Sequence, residues 1–436
     1  PAQLRAIALL ARQWAPDYPL HATLRQDLEL HGVRTEDLPL VLEGLWRAGL
    51  TTLGACGDTV RNVTLSPGNG LYEGTRDLTA LAEAIEDRTR SQGWTRSLPR
   101  KFKIALSSEG DPFGAKPWIN DLGLIARRDG TFCVVGAGSL GNRPATGIEL
   151  YPALPAEDVM ALVVAALRLF EVEGDRENRT RARLRHVRER MGDAAFCSRL
   201  DAWFQQERGR GTGAALAVPM VTRTRPAQAR LRLPLGDISV EDALALADAA
   251  QRSGAELRIG LEQDLFVVGP APVELSAELE ALRHAPCVVS CPGAETCPRG
   301  IAHSREAARN LLRAMAPEPA LLVAVAGCPS NCSQAAVADI GLIGRARTLN
   351  GVRTECYQIV AGGGRGETPA LAVELAAAVP ADCAPQVVTW MQSEYAAGAS
   401  AGEDLAGFVA REKIRLSDGI RARLSGRAAR ASLQLA

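Results

Sequence analysis

The chain has 436 residues, 47% of them hydrophobic and 23% charged, the make-up of a soluble globular protein with room for two or three domains. Fifty Lys and Arg balance fifty Asp and Glu, so no global charge draws it to nucleic acid or to a membrane surface, and any anion has to be met by a local basic cluster. No apolar run reaches the roughly eighteen residues that cross a bilayer, no secretory leader is read at the N-terminus, and ten cysteines are too few for a disulfide scaffold, so a reducing cytoplasm fits best.

In chain order, "PAQLRAIALLARQ" places Leu4, Ile7, Ala8 and Ala11 on one face of a helix. "LHATLRQDLELHG" (20–32) follows, and then a second helical stretch, "TEDLPLVLEGLWRAG". In "GACGDTVRNVT" (54–64), Arg61 lies between Val60 and Val63 with Asn62 beside it, which favours a partly buried, directed guanidinium. In "LPRKFKIAL" (98–106), alternation puts Lys101 and Lys103 on one face of a strand and Phe102 on the other. With Phe102 and Ile104 in the core, the two ammonium groups converge on one space and repel unless an anion sits between them. The alternative is a solvent-facing edge, where lysines discourage strand pairing.

"GAGSLG" (136–141) satisfies G-x-G-x-x-G, but it runs into "NRPATG" rather than a helix. Without a helix N-terminus it offers no pyrophosphate site, and it is expected to be structural. "DRENRTRARLRHVRERMGD" (175–193) reads as a charged, solvated helix, and "GRGTGA" near 209–214 and "RTRPAQAR" near 223–230 as a linker. Beyond it come a strand, "ARLRLPLGD" (229–237), a helix over 239–252, "LRIGLEQDLFVVG" (257–269) and the helical "SAELEALRHA".

These elements repeat. Leu20, Leu24, Gln26, Asp27, Leu28 and Gly32 match Leu257, Leu261, Gln263, Asp264, Leu265 and Gly269 at a constant offset of 237. "DLGLIARR" (121–128) likewise parallels "DIGLIGRA" (339–346), and each leads into a strand and a glycine cluster, "GAGSLG" or "AGGGRG". The first copy opens inside its helix, so the strand that precedes the helix in the second copy is expected to be absent from this sequence.

Four cysteines fall in two tight pairs, Cys291 and Cys297 in "VSCPGAETCPRG" and Cys328 and Cys332 in "GCPSNCSQ". Zinc knuckles are usually C-x2-C or C-x4-C, so C-x5-C with C-x3-C is an unusual zinc spacing. Four thiolates, one per iron, are what a [4Fe-4S] cluster takes. Unrelated buried cysteines are the third reading.

C-x5-C followed by G-C-P-x-x-C resembles the sirohaem and 4Fe-4S reductases of sulfite and nitrite. The resemblance covers nearly the whole chain. It implies an α+β fold, internally duplicated, with two ferredoxin-like half-domains (1–55 and 223–285) and two larger α/β domains (56–222 and 286–436). Only the last of these would carry the cluster. It further implies that Cys291, Cys297 and Cys328 hold three irons, while Cys332 holds the fourth and bridges to the sirohaem iron. Arg61, Lys101 and Lys103 match residues that hold the substrate anion. Thr23, Arg25 and Asn62 match positions near the macrocycle, and His21 stands where the family usually has Arg. A further family arginine, on the strand before the first helix, has no counterpart.

The implied activity is six-electron reduction of sulfite to sulfide or of nitrite to ammonia, with electrons from ferredoxin or a flavoprotein. Lys103 is the sulfite-type residue, which favours sulfite. "CPSNCSQAAVADIGLIG" looks more like nitrite-type members, so nitrite is the alternative. A precorrin-3B synthase-like oxygenase and a non-catalytic, metal-stabilised binding protein are the other readings. Lys101, Lys103 and "CGDTVRNV" argue against the oxygenase, and the presence of sirohaem would exclude the binding protein.

Overall fold

The computed structural model describes residues 1–213, 216–225, 227–349, 351–364 and 369–433. The chain starts with helix α1 (Ala2–Trp14), strands β1 (Leu20–Ala22) and β2 (Leu28–Leu30), and α2 (Leu38–Arg47). A larger unit follows: β3 (Val60–Leu65), α3 (Thr79–Ser91), β4 (Phe102–Ser108), β5 (Leu122–Ala126), β6 (Phe132–Gly136), β7 (Ile148–Leu154), α4 (Val159–Glu173), α5 (Leu184–Met191) and α6 (Asp193–Gly209). The second small unit has β8 (Ala229–Arg232), β9 (Asp237–Ile238), α7 (Val240–Arg252), β10 (Glu256–Ile259), β11 (Asp264–Val268) and α8 (Ala277–Ala281). The last unit has β12 (Val288–Ser290), α9 (Ser304–Ala314), β13 (Val323–Ala326), β14 (Ile340–Leu349), β15 (Val352–Ala361), β16 (Val373–Pro380), α10 (Ala384–Gly398) and α11 (Leu405–Leu433).

The duplication is visible in strand register. Leu20 pairs with Leu30 and Ala22 with Leu28; adding 237 gives the pairs Leu257–Val267 and Ile259–Leu265 of the second copy. Gln26 and Gln263 share the left-handed conformation, with φ of 64° and 56°, and each side chain bonds the backbone of a neighbouring unit, Leu65 and Ile259 for Gln26 and Ser290 for Gln263. The two large sheets have the same order, β3-β4-β5-β6-β7 and β12-β13-β14-β15-β16. In each, two parallel pairings are followed by two antiparallel ones. Asp121 accepts a hydrogen bond from Lys103 N at 2.8 Å, and its counterpart Asp339 accepts one from Leu322 N at 2.7 Å. The same carboxylate thus ties the second strand to the third in both copies.

The small units interlock. Strand β9 of the second copy pairs with β1 of the first, while β8 pairs with β11. α1 packs on α7, and Leu4, Ile7 and Leu20 share one core with Leu231, Leu246 and Leu265. Burial of each such side chain contributes about 1.5–3 kcal/mol, which favours one joint body over two small ones. Helix α4 is buried nearly all round, from Val159 to Phe170, against the first large sheet.

One element differs from expectation. Residues 175–183 contain no helix, and helix begins only at Leu184. The segment is charged because it faces a polar cavity, and Arg185 in α5 is 5% exposed. "GAGSLG" is structural: a side chain at Gly138 would meet Trp118 O at 2.1 Å, and no helix follows. Its partner "AGGGRG" ends at residues 365–366, outside the described residues.

Candidate active site

The two copies enclose a cavity of about 1060 Å³, lined from both sides. Among the described residues, twelve Arg and Lys side chains line it against four Asp and Glu. A neutral chain has therefore gathered a strongly cationic interior surface.

Strand β4 supplies the floor as the alternation requires: Phe102 and Ile104 are fully buried in the core, and Lys101 and Lys103 line the cavity. Burial pushes the Lys103 ammonium well below its ordinary range, and Arg25, Arg183 and Lys101 add to the shift. Lys101 is lowered by burial and by Arg183. Each is a cation held among cations, which an anion would relieve.

Arg61 projects from β3. Its guanidinium donates to the carbonyls of Gly54 (3.1 Å), Gly57 (2.9 Å) and Ala55. Gly54 and Gly57 have φ of 84° and 91°, a backbone only glycine adopts freely, and this turns the carbonyls toward the arginine. Arg25 donates to Asn62 O at 2.8 Å and to Asn120 Oδ1 at 3.1 Å, and Asn62 Nδ2 donates back to Arg25 O. Burial lowers Arg25 to about 10. Thr23 Oγ1 accepts from the backbone N–H groups of Arg25 and Asp27 and shapes their turn. His21 lies against Asp237 at 2.8 Å.

The four cysteines sit on two adjacent loops beneath the cavity. Cys291 and Cys332 line it, whereas Cys297 and Cys328 do not. Gly327 N donates to Cys291 Sγ at 3.1 Å, which joins the loops. Cys332 is exposed to the cavity; desolvation by the protein around it raises its thiol, Cys291 adds to this, and Lys101 and Lys103 oppose it, so the cysteine and the lysines share one electrostatic neighbourhood. Among the described residues no three His, Cys, Asp or Glu side chains converge as a single metal ion requires. A cubane has four separate irons, one per thiolate, and does not demand that convergence.

The donor set fits a polycarboxylate macrocycle beside a cluster. Among the described residues, Arg25 Nε, both side-chain polar atoms of Asn331 and Ser333 Oγ are buried without a hydrogen-bond partner. Asn331 and Ser333 flank Cys332. Buried polar atoms left open in this way are costly unless a bound group meets them.

Sequence reasoning missed several residues. Arg183 clamps the buried Asp121 with Nε at 3.2 Å and Nη2 at 2.6 Å, and Arg100 and Arg179 both bind Asp58. Lys116 and Asn120 also line the cavity. The "IND" after Lys116 carried a local signal, since Asp121 repeats as Asp339; the arginines of 175–190 carried none that set them apart from a solvated face.

Residues 56–207 and 287–410 match the family model described as nitrite and sulphite reductase 4Fe-4S domain. Residues 1–47 and 228–285 match the nitrite/sulfite reductase ferredoxin-like half domain. The chain is 30% identical to a ferredoxin–nitrite reductase of Synechococcus elongatus, over 88% of this chain and 82% of the relative. It is 28% identical to an assimilatory ferredoxin-dependent nitrite reductase of Haloferax mediterranei, over 92% and 78%. Its fold is similar to that of the solved Mycobacterium tuberculosis NirA protein, with a TM-score of 0.80 at 24% identity over 95% of this chain and 82% of that one.

Proposed function

The chain belongs to the nitrite and sulphite reductase family, and from that premise we propose that it reduces nitrite to ammonia with electrons from a ferredoxin. Its cofactors are a 4Fe-4S cluster and sirohaem. The observation that carries the reading is the meeting of Arg61, Lys101 and Lys103 with Cys332 at one cationic cavity. The sequence favoured sulfite because of Lys103. The relatives named as ferredoxin–nitrite reductases support nitrite instead, and sulfite remains the second reading because Lys103 does line the cavity.

Cys291, Cys297, Cys328 and Cys332 would hold the cluster, with Cys332 toward the macrocycle; Arg25, Thr23 and Asn62 would hold the macrocycle. When bound, these groups supply the iron that takes the anion and the path for single electrons. The chain's own residues do the rest. Arg61 and the two lysines attract the anion and hold its oxygens, and the partial burial of these side chains strengthens that hold. Converting nitrite to ammonium takes six electrons and eight protons and releases two waters. Lys101, with its ammonium lowered by burial, is placed to give a proton to a departing oxygen and to regain it from solvent. Among the described residues no helix is long and apolar enough to cross a membrane.

The test is the absorption spectrum and the iron and sulfide content of anaerobically purified protein, then turnover with reduced ferredoxin on nitrite and on sulfite. Sirohaem bands, about five irons per chain and faster nitrite turnover are expected. A protein without iron after reconstitution would overturn the reading, and faster sulfite turnover would reverse the substrate.

A further inference from the structure

Lys116 is 8% exposed and lines the cavity, yet the reading above gives it no task. It sits in the left-handed region, φ 52°, at the head of the turn Pro117–Ile119. Adding 218 gives Gln334, φ 64°, at the head of the turn Ala335–Val337. A bulky non-glycine residue adopts this conformation at a cost, and here both copies retain it. The two side chains meet across the duplication: Lys116 Nζ donates to Gln334 Oε1 at 3.0 Å. Gln334 stands two residues beyond Cys332, so the loop that carries Cys328 and Cys332 is docked on the first copy through a lysine.

Behind Lys116 the charges alternate. Its Nζ is 3.9 Å from Glu262 Oε1; Glu262 Oε2 is 2.7 Å from Arg230, and Arg230 is 2.6 Å from Asp264. Of these four, Lys116 alone lines the cavity, so the row presents its positive end there. Buried charges are weakly screened. An electron arriving nearby is stabilised by a cation and opposed by a carboxylate, and the potentials of iron–sulfur clusters follow such local charge.

We propose that Lys116, docked on the Cys332 loop through Gln334 and backed by Glu262, raises the reduction potential of the centre held by the four thiols. The inference rests on the cluster reading above. The test is an anaerobic redox titration followed by electron paramagnetic resonance on wild type, Lys116→Met, Lys116→Arg and Glu262→Gln, each with its cluster and sirohaem content measured. Lys116→Met is expected to shift the midpoint to more negative values and Glu262→Gln to more positive ones, with Lys116→Arg close to wild type. A residue that only shapes the loop would not produce opposite signs. An unchanged midpoint in cofactor-bearing Lys116→Met overturns the assignment. Loss of sirohaem alone from that variant also overturns it, because Lys116 would then be a carboxylate anchor. If Lys116→Met does not fold, Glu262→Gln decides, and the absence of a positive shift overturns the proposal. Wild type without cluster or haem would bring down the underlying reading and this inference with it; normal cofactors with unmoved potentials would bring down only the inference.

Discussion

Lys103 is held among like charges, and this has two measurable consequences. Its ammonium is lowered from the ordinary 10.5, first by burial and then by Arg25, Arg183 and Lys101. Between the lowered value and 10.5 the unfolded chain binds this proton and the folded one does not, so the lysine's contribution to stability rises with pH across that window. Thermal unfolding of cofactor-free protein should show this slope in wild type and a shallower one in Lys103→Met. The second consequence concerns the substrate. Lys103→Asn should lower sulfite turnover more than nitrite turnover with both chromophores intact; an unchanged ratio would mean that Lys103 does not touch the anion. The converging lysines were legible in "RKFKI" because a two-residue period fixes opposite faces. The partners of Arg61 were not, because carbonyls turned inward at Gly54 and Gly57 belong to backbone conformation.

At the scale of elements, the duplicated glutamines fasten small units to large ones. Gln26 accepts from Leu65 N and donates to Ile259 O, both at 2.9 Å. Gln263 accepts from Ser290 N at 2.8 Å and donates to Ser290 O at 3.0 Å, next to Cys291. Gln263→Ala would leave two buried backbone groups unsatisfied and should cost about 1–3 kcal/mol, read as a lower denaturation midpoint. The repeat itself was plain in the sequence, since a constant offset survives where side chains are fixed by register. Residues 175–183 show the opposite case. A run of arginines on a solvated helix and a run lining a charged cavity have the same composition, and only the carboxylates they meet, Asp58 and Asp121, tell them apart.

For the whole molecule, the cavity between the copies concentrates self-repelling charge. Polyvalent anions should therefore stabilise the cofactor-free protein by linkage, by about 2.7 kcal/mol at a hundred times the dissociation constant. Differential scanning fluorimetry with sulfate should show a rise in melting temperature that is much smaller in the cofactor-loaded protein. An equal rise in both would mean that the anions act outside the cavity.

The sequence by itself determined the duplication, the paired thiols and the face on which Lys101 and Lys103 lie. These are local properties: an offset, a spacing and an alternation are all written along the chain. The tertiary structure decided that β9 crosses to the other copy's sheet, that Arg179, Arg181, Arg183, Arg185 and Arg190 wall the cavity, and that Lys116 meets Gln334 near Cys332. Each of these contacts joins residues that are far apart in the chain. What sets them is the packing of the two copies against each other, which no local pattern encodes.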